Sequence, residues 1–299
     1  MSHASIGFQG WFKFEAVSAV TGRRRTVADW FPNLILNNGL NLMGTTATLG
    51  RCMVGTGTST PVVSQTQLDT RIASTTSIQS TTYGSDLVDD YAYVRRVYRF
   101  DVGVAAGNLT EVGVGNSDTS CFSRALILDG GGSPTSVTVL SDEYLDVTYE
   151  VRCYPVVTDV LATVNIGGVD YDTIIRPSQF GAWGDVNYLR WPTVTGGMAA
   201  TPSSNPTIRT TGTLGDYTLT AGGTLISSGS TSYLAYSNNS YELTQRLTFG
   251  LTQGSADFGI LEFYNALGRW KISFDPVVPK RSTNIFTLDF KLAWARKTI

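Results

Sequence analysis

Hydrophobic and polar residues alternate over several stretches of this chain, and the alternation has a period of two. In 145–153, Leu145, Val147, Tyr149, Val151 and Cys153 fall on one side, and Asp146, Thr148, Glu150 and Arg152 fall on the other. Successive side chains of a strand point to opposite faces, so this segment predicts a half-buried antiparallel strand. The upstream run Asp129-Gly130-Gly131-Gly132-Ser133-Pro134 is a loop signal, because glycine reaches positive φ and proline donates no ladder hydrogen bond. With the strand-like segment before it, the pattern over 109–153 predicts a hairpin at the centre of the first half. Tyr91 to Val104 alternates too, with Ala92, Val94, Tyr98, Phe100, Val102 and Val104 on one side. Tyr91, Tyr93, Arg95, Arg99 and Asp101 lie on the other, and Arg96 breaks the apolar set, predicting a face left open there. This strand is expected to pair near 109–153.

Elsewhere the signal is shorter. Phe8 to Val20 reads as a first strand, Thr21 to Thr26 as a turn carrying Arg23-Arg24-Arg25, and Leu34 to Leu36 as a second apolar run. Asn38 is placed to cap one short helix through Met43, with Gly44 ending it. The Thr/Ser/Gln-rich segment 56–85 predicts an extended surface arm with little apolar anchorage. Pro155 to Ala162 marks a domain boundary, since proline interrupts the ladder there. Beyond it, Tyr217 to Leu219 reads as a short strand, and Tyr241, Leu243, Leu247, Phe249 and Leu251 restore the period of two. Phe258 to Tyr264 and Arg269 to Phe274 read as strands around a turn. The last strand is the clearest: Phe286, Leu288, Phe290, Leu292 and Trp294 inward, with Thr287, Asp289, Lys291, Ala293 and Ala295 outward. These elements predict an all-β chain of two antiparallel β-sandwich domains, 1–156 and 157–299, jelly-roll or immunoglobulin-like in layout, with one short helix near the N-terminus.

Composition narrows the function. Of 299 residues, 42% are hydrophobic, enough for sizeable cores, while only 15% are charged and the net charge is −2. Such a balance provides no global field for nucleic acid or a membrane surface. No run approaches the 18 apolar residues of a membrane helix, and the N-terminal residues lack a signal-peptide pattern. Cys52, Cys121 and Cys153 are too few for a disulfide framework and read as buried free thiols.

Candidate chemistry is sparse. His3 is the one histidine, which removes Ser-His-Asp and Cys-His devices and His-based metal sites. Gly55-Thr56-Gly57 lacks the lysine of a phosphate-binding loop. The carboxylate pairs Asp89/Asp90, Asp142/Glu143 and Asp257/Glu262 are the candidates for a glycosidase, although adjacent strand residues face opposite sides. The expectation is no catalytic residue, no cofactor and no metal. An aromatic cluster with polar neighbours, Trp183, Asp185, Asn187, Tyr188, Arg190 and Trp191, is the candidate ligand or interface site. Its aromatics read either as core or as a platform for a sugar or a docking protein.

The ordered segments Asn37-Asn38-Gly39-Leu40, Met53-Val54-Gly55-Thr56-Gly57 through Pro61, Glu111-Val112-Gly113-Val114-Gly115-Asn116, Phe122-Ser123-Arg124-Ala125 and Val137 to Tyr149 carry a resemblance. Together they resemble a segment of tail-fibre and baseplate-type virion structural proteins of tailed bacteriophages, over about residues 30–153. The resemblance implies a non-enzymatic structural role in the tail tip, baseplate or tail fibre, in a virion assembled in the host cytoplasm. It implies other virion proteins as partners. The low charge content and the strand edges that need cover predict a homo-oligomer, with 56–85 as an arm on a neighbouring subunit, and the resemblance favours a trimer. The alternatives are a carbohydrate-binding module that recognises a host surface glycan or pilus during attachment, and a polysaccharide depolymerase.

Overall fold

The computed structural model describes residues 2–46, 49–183, 191, 197, 198 and 205–297. In the first half lie β1 (Ser2–Ser18), β2 (Arg24–Pro32), β3 (Leu34–Ile35), the helix α1 (Asn37–Thr45), β4 (Arg51–Gly55), β5 (Arg71–Thr75), β6 (Ile78–Asp86), β7 (Tyr91–Phe100), β8 (Gly107–Leu109), β9 (Glu111–Ser117), β10 (Ser120–Leu126), β11 (Val137–Val139) and β12 (Glu143–Pro155). The second half holds β13 (Val160–Ile166), β14 (Val169–Pro177), a 3-10 turn (Phe180–Ala182), β15 (Thr207–Arg209), β16 (Leu225–Ser228), β17 (Ser230–Tyr233), β18 (Glu242–Phe249), β19 (Asp257–Asn265), β20 (Gly268–Pro279) and β21 (Phe286–Arg296). Strands account for 57% of the structure and helices for 5%, in keeping with the all-β pattern.

The frame is an eight-stranded sheet in the order β17-β18-β21-β1-β12-β7-β6, with β2 also on β1. β1 is long enough to serve three partners. It runs antiparallel to β12 along 6–18, antiparallel to β2 along 11–17, and parallel to β21 along 2–8. That parallel pair joins the two ends of the chain, so the sheet is mixed rather than purely antiparallel. His3 lies within this paired stretch. A five-stranded sheet, β3-β10-β9-β4-β5, and a six-stranded sheet, β13-β14-β20-β19-β15-β16, complete the layers with the small β11-β8 pair.

The expected divide at 156/157 falls between β12 and β13, but strands from both sides of it share the eight-stranded sheet. They also share one hydrophobic core, which runs from Phe8 and Phe14 to Phe286 and Trp294. On the C-terminal side, β19 and β20 meet β21 through the aromatic pairs Phe258–Phe286, Phe263–Phe290 and Trp270–Phe290. Centroid separations of 4.7–5.9 Å with tilted or edge-on rings suit the aromatic quadrupole.

The strands β7, β12, β18 and β21 bury the parity the alternation predicts, β1 forms where a first strand is expected, and several other expectations change. The glycine loop at 129–134 closes only a short antiparallel bridge, Leu128 to Pro134, with Thr135 N–H donating to the Ile127 carbonyl (2.9 Å); it does not pair the long strands, since β10 joins the five-stranded sheet and β12 the eight-stranded one. β12 is buried on both faces, because neighbouring arginines cover its polar row. Arg96 does not open the inner face of β7; it is buried and donates to the Leu49 carbonyl. β7 ends at Phe100, so Val102 and Val104 are exposed. β2 starts at Arg24, within the expected turn. Tyr217 to Leu219 is a turn rather than a strand, and Leu251 lies outside β18 and is exposed. Segment 56–85 is not a free arm: β5 pairs with β4 and β6 with β7 in the same chain.

Helix α1 forms where it is predicted but ends differently. Asn38 does not cap it; its amide donates to Ser120 Oγ and the Cys121 carbonyl (3.0 and 2.9 Å), tying α1 to β10. Gly44 lies inside the helix, which ends at Thr45 with Thr46 N–H donating to the Leu42 carbonyl (2.8 Å). Gly39 allows the close approach, since a Cβ there would overlap the Phe122 backbone. On an exposed helix, Gly→Ala stabilises by about 1 kcal/mol. At Gly39 the sign reverses: Gly39→Ala is expected to destabilise by about 1–3 kcal/mol, read as a lower urea midpoint. A raised midpoint would show that α1 can lift from β10.

Candidate interaction surface

The outward face of the eight-stranded sheet is built from residues that alternate with the core. Asp146 and Glu150 on β12 stand directly opposite Arg99 and Arg95 on β7. Both pairs have a spacing of four, so antiparallel register brings both into line. Arg99 donates Nε and Nη2 to the two Asp146 oxygens, at 2.7 Å each. Arg24 adds a second guanidinium to Asp146, 2.9 Å from Oδ2. Glu150 receives Arg95 through Nε (2.9 Å) and Nη2, and Arg152 through Nε (2.6 Å). Each carboxylate is therefore held between two guanidiniums.

Depth separates the two signs of charge. The Asp146 and Glu150 side chains are 1% and 2% exposed, whereas those of Arg24 and Arg95 are 53% and 39% exposed. Short acidic side chains stay against the sheet; the longer arginine stems cross over them and carry their charge outward. The guanidiniums also stack on aromatic rings. Arg95 lies 5.3 Å from the Trp30 centroid and 5.0 Å from Tyr93; Arg152 lies 5.1 Å from Trp11 and 4.5 Å from Tyr91; Arg99 lies 5.0 Å from Tyr144. Such contacts contribute roughly 0.5–2 kcal/mol each and hold the fork in one plane. Four guanidiniums (Arg24, Arg95, Arg99, Arg152) thus roof two buried carboxylates, with Lys13 and Glu15 paired beside them, Asp86 near Arg152 and Asp101 near Arg99.

A second constellation lies in the core of the first half. Glu111 opens β9 and Arg124 sits on β10, and both side chains are 0% exposed. Glu111 accepts from the backbone N–H groups of Gly57 (2.9 Å), Thr70 (2.7 Å) and Asp69 (3.1 Å), and from Arg124 Nε (3.0 Å). Arg124 Nη2 reaches Asp69 (2.7 Å) and the Ser59 carbonyl (3.2 Å). The pair thereby fastens loop 56–70 to the sheet. A Cβ at Gly55 or Gly57 would press into the Glu111 carboxylate, which gives those motif glycines a steric reason.

Of the predicted site residues, Asp185, Asn187, Tyr188 and Arg190 lie outside the described residues. Trp183 and Trp191 are both fully buried. Trp183 packs on Phe180 and Trp270, and Trp191 lies between Phe8 of β1 and Phe122 of β10. Trp191 thus joins the second half of the chain to the core of the first. Members of the candidate carboxylate pairs are engaged by other groups. Asp257 is exposed and paired with Arg281, while Glu262 is buried and accepts from Ser178 Oγ (2.5 Å). Glu143 is held by Arg25, and Asp90 accepts from the Tyr217 hydroxyl (2.8 Å). The three cysteines are free and buried; burial pushes the Cys121 thiol up to about 12, so it stays protonated.

Lys271 on β20 is buried beneath the 216–219 turn and donates to the Asp216 and Leu219 carbonyls (2.6 and 2.9 Å). Burial, with Arg176 nearby, lowers its pKa from 10.5 to about 8. Below pH 8 both folded and unfolded chains hold the proton, and the folded state carries the full cost of the buried charge. Between about 8 and 10.5 the folded lysine releases its proton first, so its contribution to stability rises with pH. The melting temperature of the wild type minus that of Lys271→Met is expected to increase over this window. A flat difference would show that the amine is not desolvated.

Sequence patterning placed Arg95 and Arg99 on one row and Asp146 and Glu150 on another. It missed their pairing, although the shared spacing of four was the available signal. Arg24 and Trp30 carried no such signal, since β2 reaches this face through bulged pairing with β1. Compared with known proteins, the chain matches no family model, no curated protein and no solved structure.

Proposed function

We propose that this chain is a non-enzymatic structural protein of a tailed-phage virion, in the tail tip, baseplate or tail-fibre apparatus. The observation that carries the reading is the convergence of its motif segments. Glu111 of the E-V-G-V-G-N segment, Arg124 of F-S-R-A, and Gly55 and Gly57 of the V-G-T-G segment meet in one buried unit, which the exposed Ser59 borders through its carbonyl. The residues that carry the resemblance serve folding, as expected of a scaffold segment. In this reading the curled sheets are β-sandwich modules, the chain assembles as a homo-oligomer, a trimer favoured, and other virion proteins are its neighbours. Immunogold electron microscopy of purified particles tests it: label is expected at the tail end, and particles that lack the protein would refute it.

Sugar recognition during host attachment is the second reading, favoured by the rings Trp11, Trp30, Tyr91 and Tyr93 on the outward face. Retention of the protein on immobilised host surface polysaccharide would support it.

A further inference from the structure

A second face of the molecule complements the guanidinium face in charge. On the outward side of β13, β14 and β20, Leu161, Ile174 and Ser273 lie in one row, and Thr163, Asp172 and Asp275 in the next. These residues line an open concavity of about 700 Å³. Leu161 is 74% exposed at its rim. Asp170 and Asp172 accept hydrogen bonds from Asn165 and Thr163 (2.6 and 3.0 Å). Among the described residues, no cation pairs with Asp170, Asp172 or Asp275; the nearby Asp159 is neutralised by Arg176. This face thus carries three negative charges without an ion-pair partner around an apolar centre, whereas the guanidinium face presents four arginines over two carboxylates that are themselves buried.

The two faces look away from each other. The rings of β19 and β20 meet those of β21 on the inner sides of the two sheets. Ser273 and Asp275 alternate with Ile272 and Phe274 and point outward, as Asp146 and Glu150 do on β12. One chain cannot bring these faces together. A two-fold contact cannot satisfy both at once either, because it sets the same patch on each partner. A head-to-tail contact satisfies both.

We infer that copies of this chain associate head to tail, the acidic β13–β14–β20 face of one seating on the guanidinium face of the next. The inference rests on the reading of the chain as a self-assembling virion component and names the surfaces that would carry the assembly. Arg95, Arg99 and Arg152, held flat by ring stacking, and the exposed Arg24 beside them meet carboxylates with little further ordering, and Leu161 and Ile174 supply the apolar contact at the centre. Contacts of this type close into rings when the rotation per subunit allows it and otherwise extend as an open filament, the form that faces looking away from each other favour.

Mass in solution, measured on the full-length protein at low and high salt, tests this. The wild type is expected to be an oligomer at low ionic strength and to dissociate towards 1 M salt, where screening shortens to about 3 Å. Lys13→Glu with Arg24→Glu reverses one face and leaves the Arg99–Asp146 bonds in place. Asp170→Lys with Asp172→Lys reverses the other. Each pair is expected to abolish the oligomer with the melting transition retained, and the four substitutions together to restore it. Should one pair unfold the chain, the other pair and the salt series still decide. Assembly that persists in a folded reversed variant would place the interface elsewhere, and a wild-type monomer at every salt concentration would remove it altogether. Neither result bears on where the protein sits in the particle, which the immunogold experiment reads separately.

Discussion

Replacing Trp294 with alanine is expected to lower the stability of the whole molecule by about 3–5 kcal/mol, the usual cost of truncating a buried tryptophan. Trp294 ends the inward row of β21 and is 3% exposed. Its indole N–H donates to the Leu40 carbonyl of α1 (2.8 Å), and its ring stacks on Tyr236 with centroids 5.8 Å apart. Losing the ring opens a cavity between β21 and α1 and leaves the Leu40 carbonyl without that donor, adding about 1 kcal/mol. Against a typical total of 5–15 kcal/mol this is a large fraction. A fall in melting temperature on the order of 10 °C is expected for a chain of this size. The effect should not be confined to the C-terminal half. Trp294 pairs in register with Ile6 of β1, so circular dichroism and tryptophan fluorescence should report a single earlier transition. An unchanged melting temperature would mean that the row faces solvent. Two separate transitions, with only one shifted, would show that the shared sheet does not couple the halves.

Replacing Arg124 with alanine is the second large effect, again about 3–5 kcal/mol, the range for removing one partner of a buried ion pair. Arg124 contacts Glu111, Asp69 and Ser59 at once. Glu111 would remain buried, held by three backbone N–H groups but without its counter-charge. Glu111→Gln should cost less, because the amide oxygen can keep part of the N–H set. The local readout is loop 56–70: limited proteolysis should cut it in Arg124→Ala well before global unfolding. Resistance of that loop in the variant would show that β4 and β5 hold it without the arginine.

What patterning along the chain could reveal depended on whether an element's environment is one-sided. β21, β18 and β7 have one apolar face and one polar face, and their period of two identifies both. β12 shows the same period, but its polar row is buried as well. The residues that bury it come from β2 and β7, at separations of 47 to 122 residues for Asp146. Likewise Asn38 has the chemistry of a helix cap, and its amide goes instead to β10, which packs against the helix.

From the sequence alone one could determine that the chain is built of strands, which residues of β7, β12, β18 and β21 turn inward, where helix α1 lies, and that its cysteines are buried thiols. Each of these depends on residues close together in the chain. Tertiary structure alone decided that β1 and β21 run side by side, that both halves of the chain build one sheet and one core, and that Glu111 and Arg124 clasp loop 56–70. It alone decided that arginines from neighbouring strands roof the carboxylates of β12. The physical reason is common to all of these. Pairing and burial between distant strands depend on which apolar faces and which buried charges find partners once the chain is compact, and no local period records that choice.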